Sequence, residues 1–212
     1  MLILAFETSA KAASVALHDG KKLLGESYQN TGLTHSQTLM VMAEDLLKQC
    51  GKKACDVTAV AVAEGPGSFT GVRIGVAAAK GFAWGAELPC YGVSTLEAMA
   101  KSLGIYQGYI CPAMDARRSQ VYNALFYVNC GKLTRICPDR AISLQDLGED
   151  VKNLQEPIFW LVMAAFCAII LCWKKFPIWC LRRNIGSISV PPAWRWQRWK
   201  KSQQGKWAMA TP

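Results

Sequence analysis

The stretch most able to do chemistry is Gly65-Pro66-Gly67-Ser68-Phe69-Thr70-Gly71-Val72-Arg73-Ile74-Gly75. A glycine-rich turn that opens a helix can hold an anion on its free backbone N–H groups. The stretch lacks the Gly-Lys-Ser/Thr ending of a P-loop, so no lysine is placed to reach a β- or γ-phosphate. Two readings stand side by side. One is a tight strand-to-helix turn capped by Ser68. The other is an anion or nucleotide loop made by Gly65, Gly67, Ser68 and Thr70 together with Glu7, Thr8 and Ser9, which end the first apolar run. Glu7, at a strand end, could in principle act as a base, but no nucleophile is evident beside it.

Other chemistries find less support. The histidines are His18 and His35, and neither belongs to an H-E-x-x-H or similar metal constellation. No pair of the nine cysteines shows C-x-x-C spacing, and Met1-Leu2-Ile3-Leu4 runs into Glu7 without the basic start of a secretory signal. Reduced thiols in a cytoplasmic protein are the expectation. Asp115-Ala116-Arg117-Arg118 follows an apolar run and reads most simply as an ion pair at a turn. The expectation is therefore no catalytic set and no metal ligand.

The elements that must position these residues follow from periodicity. Leu2 to Phe6 is a buried strand, Ala13 to His18 alternates, and Asp19-Gly20 turns into a third strand over Lys21 to Tyr28, giving an antiparallel meander. Thr34 and Gln37 have capping-box spacing at the start of a helix whose stripe is Leu39, Met42, Ala43, Leu46 and Cys50. Val41 lies off that stripe. A strand over Val57 to Ala63 leads through the glycine-rich turn into a helix from Phe69 to Trp84, whose only charged residues are Arg73 and Lys80. A helix apolar nearly all round has to be covered on more than one side. Its Gly71, Gly75 and Gly81 each cost roughly 1 kcal/mol against alanine, a cost that makes sense if another backbone approaches closely. Pro89 to Val93 is a strand, and Ser94 and Thr95 cap a helix over Leu96 to Leu103. Gly108 to Ala113, Gln120 to Val128 and Lys132 to Cys137 read as three more strands before a helix capped by Ser143, so the β-β-β opening recurs. The fold class expected is α/β in two lobes: residues 1–106, residues 107–157 as the start of the second, then a tail over 158–212.

Charge marks the same division. The net charge is +9, yet residues 1–150 hold fourteen Lys/Arg and fourteen Asp/Glu, whereas residues 151–212 hold ten Lys/Arg and one acid, Glu156. All tryptophans but Trp84 lie from Trp160 onward. The basic excess thus belongs to the tail, and the first 150 residues give no electrostatic sign of a nucleic-acid or membrane partner.

The order β-β-β-α-β-α-β-α with Glu7-Thr8-Ser9 after the first strand resembles the actin/Hsp70/sugar-kinase superfamily, with its actin-like ATPase or RNase H-like fold. Within it, Thr34-His35-Ser36-Gln37 and the long 65–75 stretch resemble the TsaB (YeaZ) family, as do Gly92-Val93-Ser94-Thr95-Leu96 and Met114-Asp115-Ala116-Arg117. The likeness runs to about residue 160. It implies a non-catalytic scaffold that pairs with TsaD, with TsaE joining them, in transfer of threonylcarbamoyl to N6 of adenosine 37 of tRNA. It also implies no cofactor of the chain's own, with ATP used by the complex, and tRNA met through the complex. The family interface is a helix bundle, which assigns partner contacts to His35, Leu39, Val41 and Met42 on the first helix and to Val72, Gly75, Ala78, Ala79 and Phe82 on the second. TsaD or a second copy of this chain would fill it. One departure is Glu7, where the family usually carries Asp. A nucleotide-binding ATPase-like domain and a metal-dependent glycoprotease-like enzyme are the competing functions.

Pro157 to Trp173 contains no charged residue, which read locally is a membrane anchor flanked by tryptophans and basic residues. The family likeness implies a different account. TsaB-like chains usually carry Val-Gly-Asp-Gly here, and Leu161-Val162-Met163-Ala164 reads Gly-Asp-Gly when shifted by one base if its leucine and valine codons end in G. The expectation is a frameshifted second lobe with no membrane role.

Overall fold

The computed structural model describes residues 1–103, 107–152, 154, 156, 158–162, 179–180, 199–201 and 207–209. The frameshift and membrane readings of the tail concern residues that lie almost wholly outside these. Among the described residues no helix is long and apolar enough to cross a membrane.

The chain opens with β1 (Ile3–Glu7), β2 (Ala13–His18) and β3 (Leu23–Gln29), an antiparallel meander as expected. Helix α1 (His35–Gln49) leads through a 3₁₀ turn at Ala54–Asp56 into β4 (Ala59–Gly65), then α2 (Phe69–Gly85), β5 (Cys90–Ser94) and α3 (Thr95–Lys101). The strand order is β3-β2-β1-β4-β5, with β1, β4 and β5 parallel. The meander needs only tight turns, whereas each parallel step needs a helical crossover, which α1 and α2 supply.

Alternation along the strands decides which face those helices cover. Leu4 and Phe6 on β1, Val15 and Leu17 on β2, and Val60 and Val62 on β4 are buried in one cluster with Leu39, Met42, Ala43, Leu46 and Leu47 of α1 and Ala79 and Ala83 of α2. The helical stripe is the expected one, except that Leu47 is fully in it and Cys50 only packs at its margin. The Thr34 cap differs from expectation. Its backbone carbonyl accepts from Gln37 N–H, while its hydroxyl accepts from Ser36 and caps no helix amide.

The second sheet is built on β6 (Gly108–Arg117), with β7 (Gln120–Asn123), β8 (Phe126–Asn129), β9 (Lys132–Arg135), β10 (Arg140–Ser143), α4 (Leu144–Lys152) and β11 (Ile158–Val162). The described residues end in three short strands, β12 (Trp179–Cys180), β13 (Trp199–Lys201) and β14 (Trp207–Met209). Its path β10-β7-β6-β11-β12 repeats the first sheet's logic: β6 is antiparallel to β7 and parallel to β11, as β1 is to β2 and β4. The strand expected over Gln120 to Val128 is split in two. Both pieces keep one register against β6, but the ladder breaks opposite Cys111 and Pro112, because Pro112 has no N–H to give. Asn123 fills the break, its amide donating to Cys111 Sγ, Pro112 O and Ala124 O at 3.0–3.1 Å.

Helix α3 ties the sheets together. Leu96 and Ala100 are buried with Ile110, Met114, Phe126 and Val128 of the second sheet, and Arg135 reaches Glu97 at 3.0 Å and Asp139 at 2.5 Å while lying over the Phe126 ring.

Candidate partner-binding face and the glycine-rich turn

The glycine-rich turn is brought against Glu7-Thr8-Ser9, as one of its two readings requires, but protein groups fill the space. Ser68 N–H donates to Ser9 O at 2.7 Å, and Thr8 Oγ1 donates to Gly71 O at 2.8 Å. Ser68 Oγ caps α2 by accepting from Gly71 N–H. A Cβ on Gly67 would stand 2.6 Å from Ser9 Cβ and O, one on Gly71 2.1 Å from Thr8 O, and one on Gly75 2.1 Å from Thr8 Oγ1. These glycines let α2 lie directly on the β1–β2 loop. Thr8 and Ser9 are buried, Glu7 turns back to accept from Ser9 N–H, and Thr70 stays exposed. Gly65 needs its freedom for another reason, its φ of 111°. The geometry is that of a tight, capped strand-to-helix turn.

Beside it, on the sheet face away from α1 and α2, is a cleft of about 180 Å³ lined by alanines and valines, with Glu7 and Ser14 its polar groups. Both histidines are engaged structurally: His18 Nδ1 accepts from Gly20 N–H at 2.9 Å, and His35 Nε2 meets Ala10 O at 3.0 Å. No group of three or more His, Cys, Asp or Glu among the described residues is placed to hold a metal ion.

The outward face of α1 and α2 is where the chain leaves apolar surface unused. Val41 is 56% exposed, Phe69 71% and Trp84 87%, with Met40 beside Val41. Arg73 lies over the Phe69 ring at 3.8 Å. Ala77 and Gly81 are exposed on the same helix, and a Cβ added to Gly81 would meet nothing within 4 Å among the described residues. Gly71 and Gly75 are therefore explained by this chain's own packing, and Gly81 is not.

The residues expected at an interface divide accordingly. Leu39, Met42, Gly75 and Ala79 take no part in the outward surface, because they lie on the helix stripes that face the sheet. Val72, Ala78 and Phe82 are half-buried, the last two packed against the core, and His35 is half-buried on Ala10. Val41 is outward, as its off-stripe position implied. Met40, Phe69, Ala77, Gly81 and Trp84 complete the surface without having been singled out for it. The signal was the rest of the apolar circumference of α2 and, for Met40, its place beside the off-stripe Val41 on α1.

The TsaD family model, described as tRNA N6-adenosine threonylcarbamoyltransferase, matches residues 29–155. The tRNA threonylcarbamoyladenosine biosynthesis protein TsaB of Bacillus subtilis is 37% identical over 161 residues, 76% of this chain and 70% of that one. The Escherichia coli protein of the same name is 43% identical over 125 residues, and that of Haemophilus influenzae 40% over 126. The chain spans about half the length of these last two, 53% and 52%. Among solved structures, YeaZ from Pseudomonas aeruginosa superposes with a TM-score of 0.69 at 24% identity, covering 85% of this chain and 84% of that one. The α/β fold expected from the sequence is thus the one observed.

Proposed function

The chain belongs to the TsaB family of tRNA threonylcarbamoyladenosine biosynthesis proteins, and from that premise we propose that it is a non-catalytic docking subunit whose α1–α2 face seats a TsaD partner. The observation that carries this reading is Gly81, a helix-interior glycine whose missing side chain serves no packing among the described residues, on a helix that also exposes Ala77 one turn before it and Trp84 one turn after. Small residues beside a large exposed apolar one fit a helix that must approach closely, and tryptophan is a favoured anchor at such contacts. In this reading the transfer of threonylcarbamoyl to tRNA is the partner's chemistry, TsaE joins the pair, and ATP is consumed by the complex without a cofactor bound here. The engaged histidines and the protein-filled glycine turn support a docking role over a metal-dependent or nucleotide-driven one.

Ala77 is the place to test it, since Ala78 is half-buried against the core and an arginine there would disturb the fold. Ala77→Arg is expected to abolish co-elution with the TsaD homologue on size exclusion while the thermal transition stays within a few degrees of the parent. Unchanged co-elution overturns the reading. A second copy of this chain is the competing occupant, and multi-angle scattering of the chain alone separates the two.

A further inference from the structure

The β6–β7 hairpin carries a feature that the docking face does not use. Arg117, Arg118 and Ser119 follow one another at φ values of 65°, 52° and 61°. That left-handed region is disfavoured for any residue with a Cβ, so three in succession must be imposed by the surroundings. The bracing is visible. Asp115 Oδ1 accepts from Arg117 N–H at 2.5 Å, Arg117 pairs with Gln120 across the hairpin, and Gln120 pairs in turn with Ser143 of β10. Every one of these contacts is made by backbone or by Asp115. Among the described residues, the guanidinium groups of Arg117 and Arg118 hold nothing in place.

The other arginines of the described residues are all occupied: Arg73 on Phe69, Arg135 with Glu97 and Asp139, and Arg140 with Asp150 at 2.6 Å. Arg117 and Arg118 are exposed and have no ion pair or ring partner among the described residues. The nearby carboxylate, Asp115, is committed to the turn. The tip faces solvent, since Arg117, Arg118, Ser119 and Gln120 are all exposed. Two adjacent arginines are thus presented on a braced, outward backbone with their charge unspent.

We infer that this tip is a contact for the phosphodiester backbone of an RNA. Arginine's planar fork matches phosphate oxygens. An exposed hairpin tip suits a polymer laid across it, whereas a small anion or nucleotide is held in a concave site. The choice of RNA as the polyanion rests on the tRNA reading above. The contact itself rests on the hairpin and does not involve α1 or α2.

The test is fluorescence anisotropy of a labelled unmodified tRNA transcript with the full chain, repeated across a salt series. Neutralising both arginines in Arg117→Ala/Arg118→Ala is expected to weaken binding several-fold at low salt. It should also make the slope of log K against log salt less negative by about 1–2, the loss expected for two phosphate contacts. Arg117→Gln/Arg118→Gln repeats the measurement should the alanine variant not fold. Lys52→Ala/Lys53→Ala removes the same charge from the loop before β4 and is expected to change neither quantity comparably. The inference is overturned if the arginine variants bind like the parent, if the lysine variant loses as much, if the parent does not bind, or if millimolar inorganic phosphate displaces the tRNA as a compact anion site would require. Ala77→Arg is measured in parallel. Loss of tRNA binding only in the arginine variants, with co-elution unaffected by Ala77→Arg, sinks the docking reading alone, and the converse pattern sinks this one alone.

Discussion

Gly75 and Gly81 sit in one helix with the same intrinsic cost and opposite surroundings. At Gly75 an added methyl group would stand 2.1 Å from Thr8 Oγ1, whose hydroxyl is fixed by its bond to Gly71 O. Gly75→Ala is therefore expected to destabilise the chain by about 1–3 kcal/mol, the usual penalty of overpacking. At Gly81 the space is open, so Gly81→Ala is expected to stabilise the isolated chain by roughly 1 kcal/mol through helix propensity and to weaken partner co-elution. Urea unfolding of the two variants checks the opposite signs, and equal signs would remove the distinction on which the docking face rests. The sequence made Gly71, Gly75 and Gly81 visible, and it grouped Gly65, Gly67, Ser68 and Thr70 with Glu7-Thr8-Ser9. Which glycine is filled from within was not legible, because that depends on where Thr8 points after β1 and α2 have packed. Cys111 makes a similar point: burial pushes its thiol up to about 12, against a weaker opposing bond from Asn123. Its inertness belongs to the fold, and its spacing from other cysteines carries no sign of it.

At the scale of elements, helices were legible wherever burial is one-sided. The α1 stripe emerges from periodicity because the helix lays one face on the sheet, whereas α2, apolar nearly all round, shows no such stripe. The split of Gln120 to Val128 was not legible, since its cause, Pro112, stands on a different strand. The short α3 is held by side chains rather than by length. Glu97 bonds Lys101 at 2.8 Å and Arg135 at 3.0 Å, and these two contacts, the lysine's first, hold its carboxyl below the usual carboxylate range. A carboxyl depressed in the folded state stabilises above its unfolded pKa and loses that contribution as pH falls through the folded value. The thermal midpoint of the parent is thus expected to exceed that of Glu97→Gln at pH 7, with the gap closing as pH drops below about 4, the range of a free glutamate. Glu97 is only partly shielded, so the gap should be modest. A gap independent of pH would mean that Glu97 acts by packing and not by charge.

The whole molecule is two sheets of related topology joined through one helix. Leu96 and Ala100 belong by sequence to the end of the first lobe, yet they are buried at 0% and 1% exposure among Ile110, Met114 and Phe126 of the second sheet. Unfolding the second sheet would bare these side chains and release Arg135 from Glu97, and neither loss could be recovered by α3 alone. Burial of a leucine is worth about 1.5–3 kcal/mol, a large fraction of the 5–15 kcal/mol by which a domain is stable. The sheets are accordingly expected to open as one cooperative unit. Native-state hydrogen exchange reads this directly: amides of β4 and β6 should share one opening free energy, and Leu96→Ala should lower both by the same amount. If Leu96→Ala releases β6 while β4 keeps its protection, the lobes are independent folding units. The docking helices would then be stable without the second sheet. The coupling has a functional side, because α2 runs directly from β4 through the glycine-rich turn. A face presented by α1 and α2 is only as rigid as the sheet beneath it, so in a cooperative molecule a lesion at Leu96 should weaken partner docking without touching the docking surface.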